Sequence, residues 1–318
     1  MKIIYAGTPE FAVEPLKKIA ENPCFEVVCV LTQEDKPQGR KAILTPPPVK
    51  VAAEQLNIPV IQPKKIREEV DRIKSFNAEL MVTCAYGQIL TQDVLDAFPK
   101  GVYNVHAGLL PAYRGASPIQ SCILNGEKQT GISIMKTDIG LDTGDILRVD
   151  TLDILPNETY GQLSARLSLL GAESIVCALN SIKNGDVALT KQSVDGVNVV
   201  KKIHKNQAQI CFEKNAEDIV NLVRAMNPAP IAYALYNGQK LNVWEAETAQ
   251  LTLEETCLLQ NAKIGEVIAD KPKRGLLVKC IDGAVKLTKV QPAGGKAMAG
   301  SDFLNGRKIK KGDVFYVE

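Results

Sequence analysis

The chain has 318 residues, 45% hydrophobic and 23% charged, with a net charge of +2. That length suits two domains with buried cores, and the balance is that of a soluble globular protein. No apolar run reaches the ~18 residues of a membrane span, the first residues do not read as a signal peptide, and eight scattered cysteines and two histidines offer no C-x-x-C pair or metal-ligand spacing. A cytoplasmic protein with no metal, no disulfide framework and no membrane partner is expected.

In chain order, residues 2–7 (KIIYAG) read as a strand, 9–22 as the helix behind it, and 25–32 (FEVVCVLT) as a second strand. The loop from Asp35 to Lys50 has two Gly/Pro breaks and four cations. A loop this long inside a compact domain is functional or disordered. Arg40 and Lys41 near its tip suit a phosphate backbone, and equally a solvated surface. Then come a helix (VKVAAEQLN), a short strand (IPVIQ), a helix (IREEVDRIKSF), a strand (AELMVTCAYG), a helix (TQDVLDAF) and a strand (GVYNVHA). TGISIMKTD and GDILRVDTL add two strands, and residues 157–185 make a long helix with Asn157 as N-cap and Gly185 as C-cap. Apolar runs without alternation mark strands covered on both faces. Their βαβα order predicts a Rossmann-like α/β fold with an open, mostly parallel sheet.

After Gly185 the pattern changes. Residues 1–185 read as one domain and the polar, aperiodic stretch 186–208 as a linker. Residues 209–318 hold a short helix and several short strands, with Asn237-Gly238 as a hairpin turn. They predict a small C-terminal β-barrel of the OB type. Residues 197–318 carry 18 Lys+Arg against 13 Asp+Glu, and residues 1–196 carry 20 against 23. A basic second half hints at a polyanionic partner.

Two segments carry candidate chemistry. In YNVHA, Asn104 and His106 are two apart on a strand and so share a face. Two donors converging on one point suit a developing oxyanion, although a buried structural histidine fits the same residues. GLDTGD supplies Asp142 and Asp145 on a glycine-flanked loop. A carboxylate near His106 would raise its pKa and relay a proton, whereas a plain tight turn is the alternative. YAGTPEFA has one glycine where a dinucleotide fingerprint needs three, which argues against a nicotinamide or flavin enzyme.

Together these segments resemble the folate-dependent formyltransferases, and within them the members that act on methionyl-tRNA. AGTPEFA, QGRKAILTPPPVK, AYGQIL, NVHAGLLPAYRGASPIQ, GLDTGDIL, NPAPIAYALYNGQKLNVWEA and QPAGGKAM carry the resemblance through nearly the whole chain. It implies a formyltransferase fold, 10-formyltetrahydrofolate as formyl donor and initiator methionyl-tRNA as acceptor, with the chain expected to act as a monomer. By the same resemblance Asn104, His106 and Asp142 are the catalytic trio. Tyr86, Gly87, Gly108, Leu109, Leu110 and Pro111 line the folate site, Arg40 and Lys41 meet tRNA in the insertion, and residues 209–318 form the tRNA-binding barrel. Asn104 and protonated His106 would stabilise the oxyanion, with Asp142 relaying a proton through His106 or water. Gly108 and Ala112 depart from the family's usual Ser and Arg. An amino-sugar formyltransferase, a formyltetrahydrofolate hydrolase and an RNA-binding module on an inactive scaffold are the competing readings.

Overall fold

The computed structural model describes residues 1–39, 41–269, 273–306 and 309–316. They divide into two compact units, and the division does not simply follow the chain. Unit 1 comprises residues 1–118, 129–153 and 164–201. Unit 2 comprises residues 119–128, 154–163 and 202–318.

Unit 1 is built on β1 (Lys2–Gly7), β2 (Glu26–Leu31), the hairpin β3 (Lys36–Gln38) and β4 (Ile43–Thr45), β5 (Val60–Ile61), β6 (Leu80–Cys84), β7 (Val102–His106), β8 (Arg114–Gly115), β9 (Gln129–Lys136), β10 (Ile146–Asp153) and β11 (Val199–Val200). Its main sheet runs β10-β9-β7-β6-β1-β2-β5. β5, β2, β1, β6 and β7 pair in parallel, while β9 and β10 turn antiparallel. Ile3, Ile4, Leu80, Met81 and Val82 are fully buried, which is why these strands show no alternation. The helices here are α1 (Val13–Ala20), α2 (Pro48–Gln55), α3 (Val70–Ser75) and the single turn α4 (Gln92–Leu95); α5 (Pro118–Leu124) falls mostly in unit 2.

The long helix α6 (Tyr160–Asn184) begins later than its sequence suggests. Asn157 sits in left-handed backbone at φ 59°. Thr159 takes the capping place instead: its N–H donates to the Gln162 side chain at 2.9 Å. At the other end Gly185 has φ +83°. Its N–H reaches Ile182 O, and Asp186 N–H reaches Ser181 O, the paired bonds of a Schellman close. α6 is long and apolar enough to cross a membrane by length and composition, but half of that stretch is buried. Gly171 lets it approach the sheet, since an added Cβ would lie 3.1 Å from Val105.

Unit 2 contains α7 (Ala216–Ala225), β12 (Ala232–Tyr236), β13 (Gln239–Thr248), α8 (Leu253–Asn261), β14 (Val267–Ala269), β15 (Leu276–Lys279), β16 (Ala284–Pro292), β17 (Met298–Ala299) and α9 (Gly300–Asn305). The antiparallel sheet runs β12-β13-β16-β15-β14, with β17 on β16. Asn237 and Gly238, at φ 47° and 71°, make the tight β12–β13 turn. The terminal segment bridges both edges: Tyr316 pairs with Leu235 on β12, and Val314 with Glu266 beside β14. The sheet therefore curls shut around Ile219, Val223, Val243, Leu276, Leu287 and Phe315.

Candidate active site

β6 and β7 are parallel neighbours whose carboxyl ends open into Gly- and Pro-rich loops. In open α/β sheets this is where ligands bind. β7 carries Asn104 and His106 on one face, while Val105 faces α6 on the other. Thr83 on β6 stands opposite Asn104 in register and donates its hydroxyl to Asn104 Oδ1 at 2.9 Å. With its oxygen engaged, Asn104 has its amide N–H groups left to offer a substrate.

His106 is 4% exposed. Its Nε2 lies 3.0 Å from Tyr113 O, and its Nδ1 lies 3.6 Å from Asp142 Oδ2. A carbonyl only accepts, so Nε2 carries the hydrogen and Nδ1 faces the carboxylate. At 3.6 Å that second contact is an ion-pair distance rather than a hydrogen bond. Burial pulls the His106 pKa down; Asp142 and the Tyr113 carbonyl pull it up, and burial prevails. Asp142 therefore acts in the direction its motif predicts, but the ring as a whole sits below its ordinary value.

Asp142 reaches this position through backbone held at φ 53°. Its Oδ2 accepts from Gly115 N–H at 2.7 Å. Thr143 and Gly140 both donate to Asp138 Oδ1 at the loop's outer turn. The loop's other acid, Asp145, contributes its backbone carbonyl to Lys136 N–H. Gly144 allows the loop to close, because a Cβ there would run into the Lys136 carbonyl.

The two loops implied for folate lie together at the ends of β6 and β7. Gly108 O accepts from the buried Ser133 hydroxyl at 2.7 Å, and Ser133 Oγ accepts from Leu110 N–H at 3.1 Å. A Cβ on Gly108 would sit 3.0 Å from His106 Nε2, so glycine there lets the loop pass close over the imidazole. Leu110 is buried; Leu109 and Pro111 are half-buried. The Tyr86 ring belongs to the core around Leu90 and Val94. Its carbonyl accepts from Thr8 and Gln33, and Gln33 also bonds Gly87 O. Tyr86 and Gly87 thus form a fixed backbone wall. Lys41 is exposed at the β3–β4 turn, beside exposed Ile43 and Leu44; Arg40 lies outside the described residues. A cavity of about 460 Å³ sits at the opposite end of β7, near Val102 and Lys136, remote from His106.

Motif reading does not single out Thr83 or Ser133. Each is a polar residue inside a buried strand, and a buried hydroxyl needs a partner; that was the available signal. Nor does it find Gln192 and Asn198, which lie in the aperiodic stretch and bond the loops around His106.

The profile of the formyl transferase family matches residues 1–179, and that of the formyl transferase C-terminal domain matches residues 202–308. A methionyl-tRNA formyltransferase of Caldicellulosiruptor saccharolyticus is 42% identical over 317 residues, covering 99% of each chain. Among solved structures, an N-formyltransferase from Helicobacter canadensis, in complex with folinic acid and dTDP-3-aminofucose, superposes with a TM-score of 0.65 at 20% identity, covering 90% of this chain and 98% of that one. The methionyl-tRNA formyltransferase from Clostridium thermocellum gives 0.54 at 21% identity, covering 78% and 93%. The fold is shared with sugar N-formyltransferases and a methionyl-tRNA formyltransferase alike, and on the 42% identity over nearly its full length the chain belongs to the methionyl-tRNA formyltransferase family.

Proposed function

We propose that this chain transfers the formyl group of 10-formyltetrahydrofolate to the α-amino group of initiator methionyl-tRNA, acting in the cytoplasm as a monomer. Family membership supports the reaction. The observation that carries the site assignment is the convergence of Asn104, His106 and Asp142 at the end of β7.

The folate supplies an activated formyl group on nitrogen, and the residues supply what its transfer requires. Attack by the methionyl amine places negative charge on the formyl oxygen, and the Asn104 amide, oriented by Thr83, is the donor for it. The amine must lose a proton and the departing nitrogen must gain one. A neutral His106 with Nε2–H on Tyr113 leaves Nδ1 free to take that proton. Asp142 then stabilises the imidazolium until it gives the proton up. This assigns His106 to proton transfer and leaves Asn104 as the oxyanion donor. Gly108–Pro111 and Tyr86–Gly87 line the folate site. The β3–β4 tip, with Lys41 beside Ile43 and Leu44, suits the unpaired end of an acceptor stem, and Arg40 belongs to the same insertion. The C-terminal barrel, residues 209–318, supplies the remaining tRNA surface, and residues 1–185 the chemistry.

The test is formyl transfer assayed with initiator and elongator methionyl-tRNA in parallel. Transfer to initiator tRNA with strong preference over elongator supports the reading. A folded protein that formylates neither, or a dTDP-amino sugar instead, overturns it.

A further inference from the structure

His106 is bracketed by two acceptors that both depend on unusual backbone. Tyr113, whose carbonyl meets Nε2, has φ 57°; Asp142, whose carboxylate faces Nδ1, has φ 53°. Non-glycine residues hold such conformations only where their surroundings enforce them. The enforcing residues come from the stretch that reads in sequence as a polar linker. Thr190 exchanges two 2.8 Å backbone bonds with Ile146, just past the Asp142 loop. β11 pairs in parallel with β8, Arg114 N–H donates to Asn198 O at 3.0 Å, and Tyr113 N–H donates to the Asn198 side chain.

Gln192 joins these two attachments. Its Nε2 donates to the carbonyls of Asp142 and Gly144, both at 2.8 Å. Its Oε1 accepts from Arg114 Nε at 3.1 Å and Nη2 at 2.7 Å. A primary amide has two N–H donors and an oxygen with two lone pairs, so all its hydrogen-bonding capacity is used. The Arg114 end of this bridge adjoins Gly115, whose N–H holds the Asp142 carboxylate at 2.7 Å. One side chain therefore ties the loop carrying Asp142 to the loop carrying Tyr113.

We propose that Gln192 is a positioning residue of the active site, fixing the Asp142 carboxylate against His106 by clamping the Asp142 loop to Arg114. This rests on the role given to Asp142 above. Only a side chain that donates twice and accepts twice fills the position: glutamate keeps the Arg114 contact and loses both donations to the loop.

The experiment compares full-length wild type, Gln192→Ala, Gln192→Glu and Asp142→Asn by steady-state kinetics over pH 5–9, with folding checked by circular dichroism. Positioning groups around a reactive centre cost about 10–100-fold when removed. Gln192→Ala and Gln192→Glu should both lose kcat in that range while KM for either substrate moves less than about threefold. The acid limb of the kcat profile should move to lower pH in Gln192→Ala, as it should in Asp142→Asn, because Asp142, the charged group facing His106, favours its protonated form. Wild-type kcat in a folded Gln192 variant, with Asp142→Asn impaired, overturns the clamp and leaves the Asp142 role standing. A fall in kcat with an unmoved acid limb, where Asp142→Asn moves it, also overturns the clamp, since loosening alone would produce it. Wild-type kinetics in Asp142→Asn overturn the reading beneath. If Gln192→Ala does not fold, Gln192→Glu, which keeps the Arg114 contact, decides on the same criteria.

Discussion

His106, only 4% exposed, shows how burial converts a common side chain into a tuned one. Loss of a group that handles a proton in the transition state costs about 10²–10⁴ in rate, so His106→Ala should lower kcat by that order with circular dichroism unchanged; a folded variant at wild-type turnover removes His106 from the chemistry. Its lowered pKa also has a sign for stability. The unfolded chain, with an ordinary histidine near pH 6.5, binds a proton more readily than the native ring. The burial of neutral His106 is therefore fully tolerated above about pH 6.5, and stability falls as pH drops through that value. His106→Gln should flatten that part of the acid decline, so the Tm difference from wild type at pH 7.5 should shift in the variant's favour at pH 5.5. An unchanged difference would show that His106 titrates normally. The shared face of Asn104 and His106 and the acid turn holding Asp142 and Asp145 are local signals in the sequence, and the choice of Asp142 between the two acids rests on the family resemblance. Their supports were not. Thr83 reaches Asn104 from a strand 21 residues away, and Gln192 reaches the Asp142 carbonyl from 50 residues away, and no local pattern encodes such pairings.

Strand and turn elements were read more faithfully than short helices. β6, β7 and β9 announce themselves as largely apolar runs and Asn237-Gly238 as a turn, whereas the region read as one helix over TQDVLDAF holds a single turn, Gln92–Leu95. Helix α8 has a capping box that its sequence, TLEE, encodes: Thr252 Oγ1 accepts from Glu255 N–H at 3.2 Å, and Glu255 Oε2 accepts from Thr252 N–H at 2.8 Å. Glu255 is buried and also takes both Arg274 Nε and Nη2, which hold its pKa at about 2. A depressed carboxylate stabilises above its unfolded value and loses that contribution as pH falls toward 2. Glu255→Gln should cost about 1–3 kcal/mol in urea unfolding at pH 7, with the gap narrowing at pH 3; a constant gap would assign the cost to packing. The Asp142 loop makes a different demand. Gly144→Ala must displace the Lys136 carbonyl or the loop itself. It should reduce kcat on the order of 10²-fold, the cost of misplacing a reacting group by about 1 Å, and unaltered kinetics would show that the loop has slack.

At the scale of the whole molecule, the order of strands and helices was readable because βαβ alternation and short-strand β composition are both extended signals. The assignment of chain segments to the two units was not. Residues 119–128 and 154–163 lie within the stretch that reads in sequence as the first domain, residues 1–185, and pack with residues 202–318; Leu124, for one, packs on the unit 2 core. Composition along the chain cannot report that exchange. What composition does report is charge, and it concentrates positive residues where the barrel is: 18 Lys+Arg against 13 Asp+Glu in residues 197–318. Lys286 and Lys289 are engaged with Glu247 and Glu245, and Lys240 lies over the Tyr233 ring. Lys296, Lys310 and Lys311 are exposed on unit 2. Phosphate contacts add affinity without reading sequence, and each one lost lowers the salt dependence by about one unit of slope. The triple variant Lys296→Glu/Lys310→Glu/Lys311→Glu should therefore raise KM for methionyl-tRNA at low salt, approach wild type as salt rises, and leave both kcat and KM for the formyl donor within about twofold. The measurement is initial-rate kinetics at two salt concentrations. Unchanged KM for tRNA at low salt would remove these lysines from the docking surface and leave affinity to other parts of the chain, the β3–β4 insertion first among them.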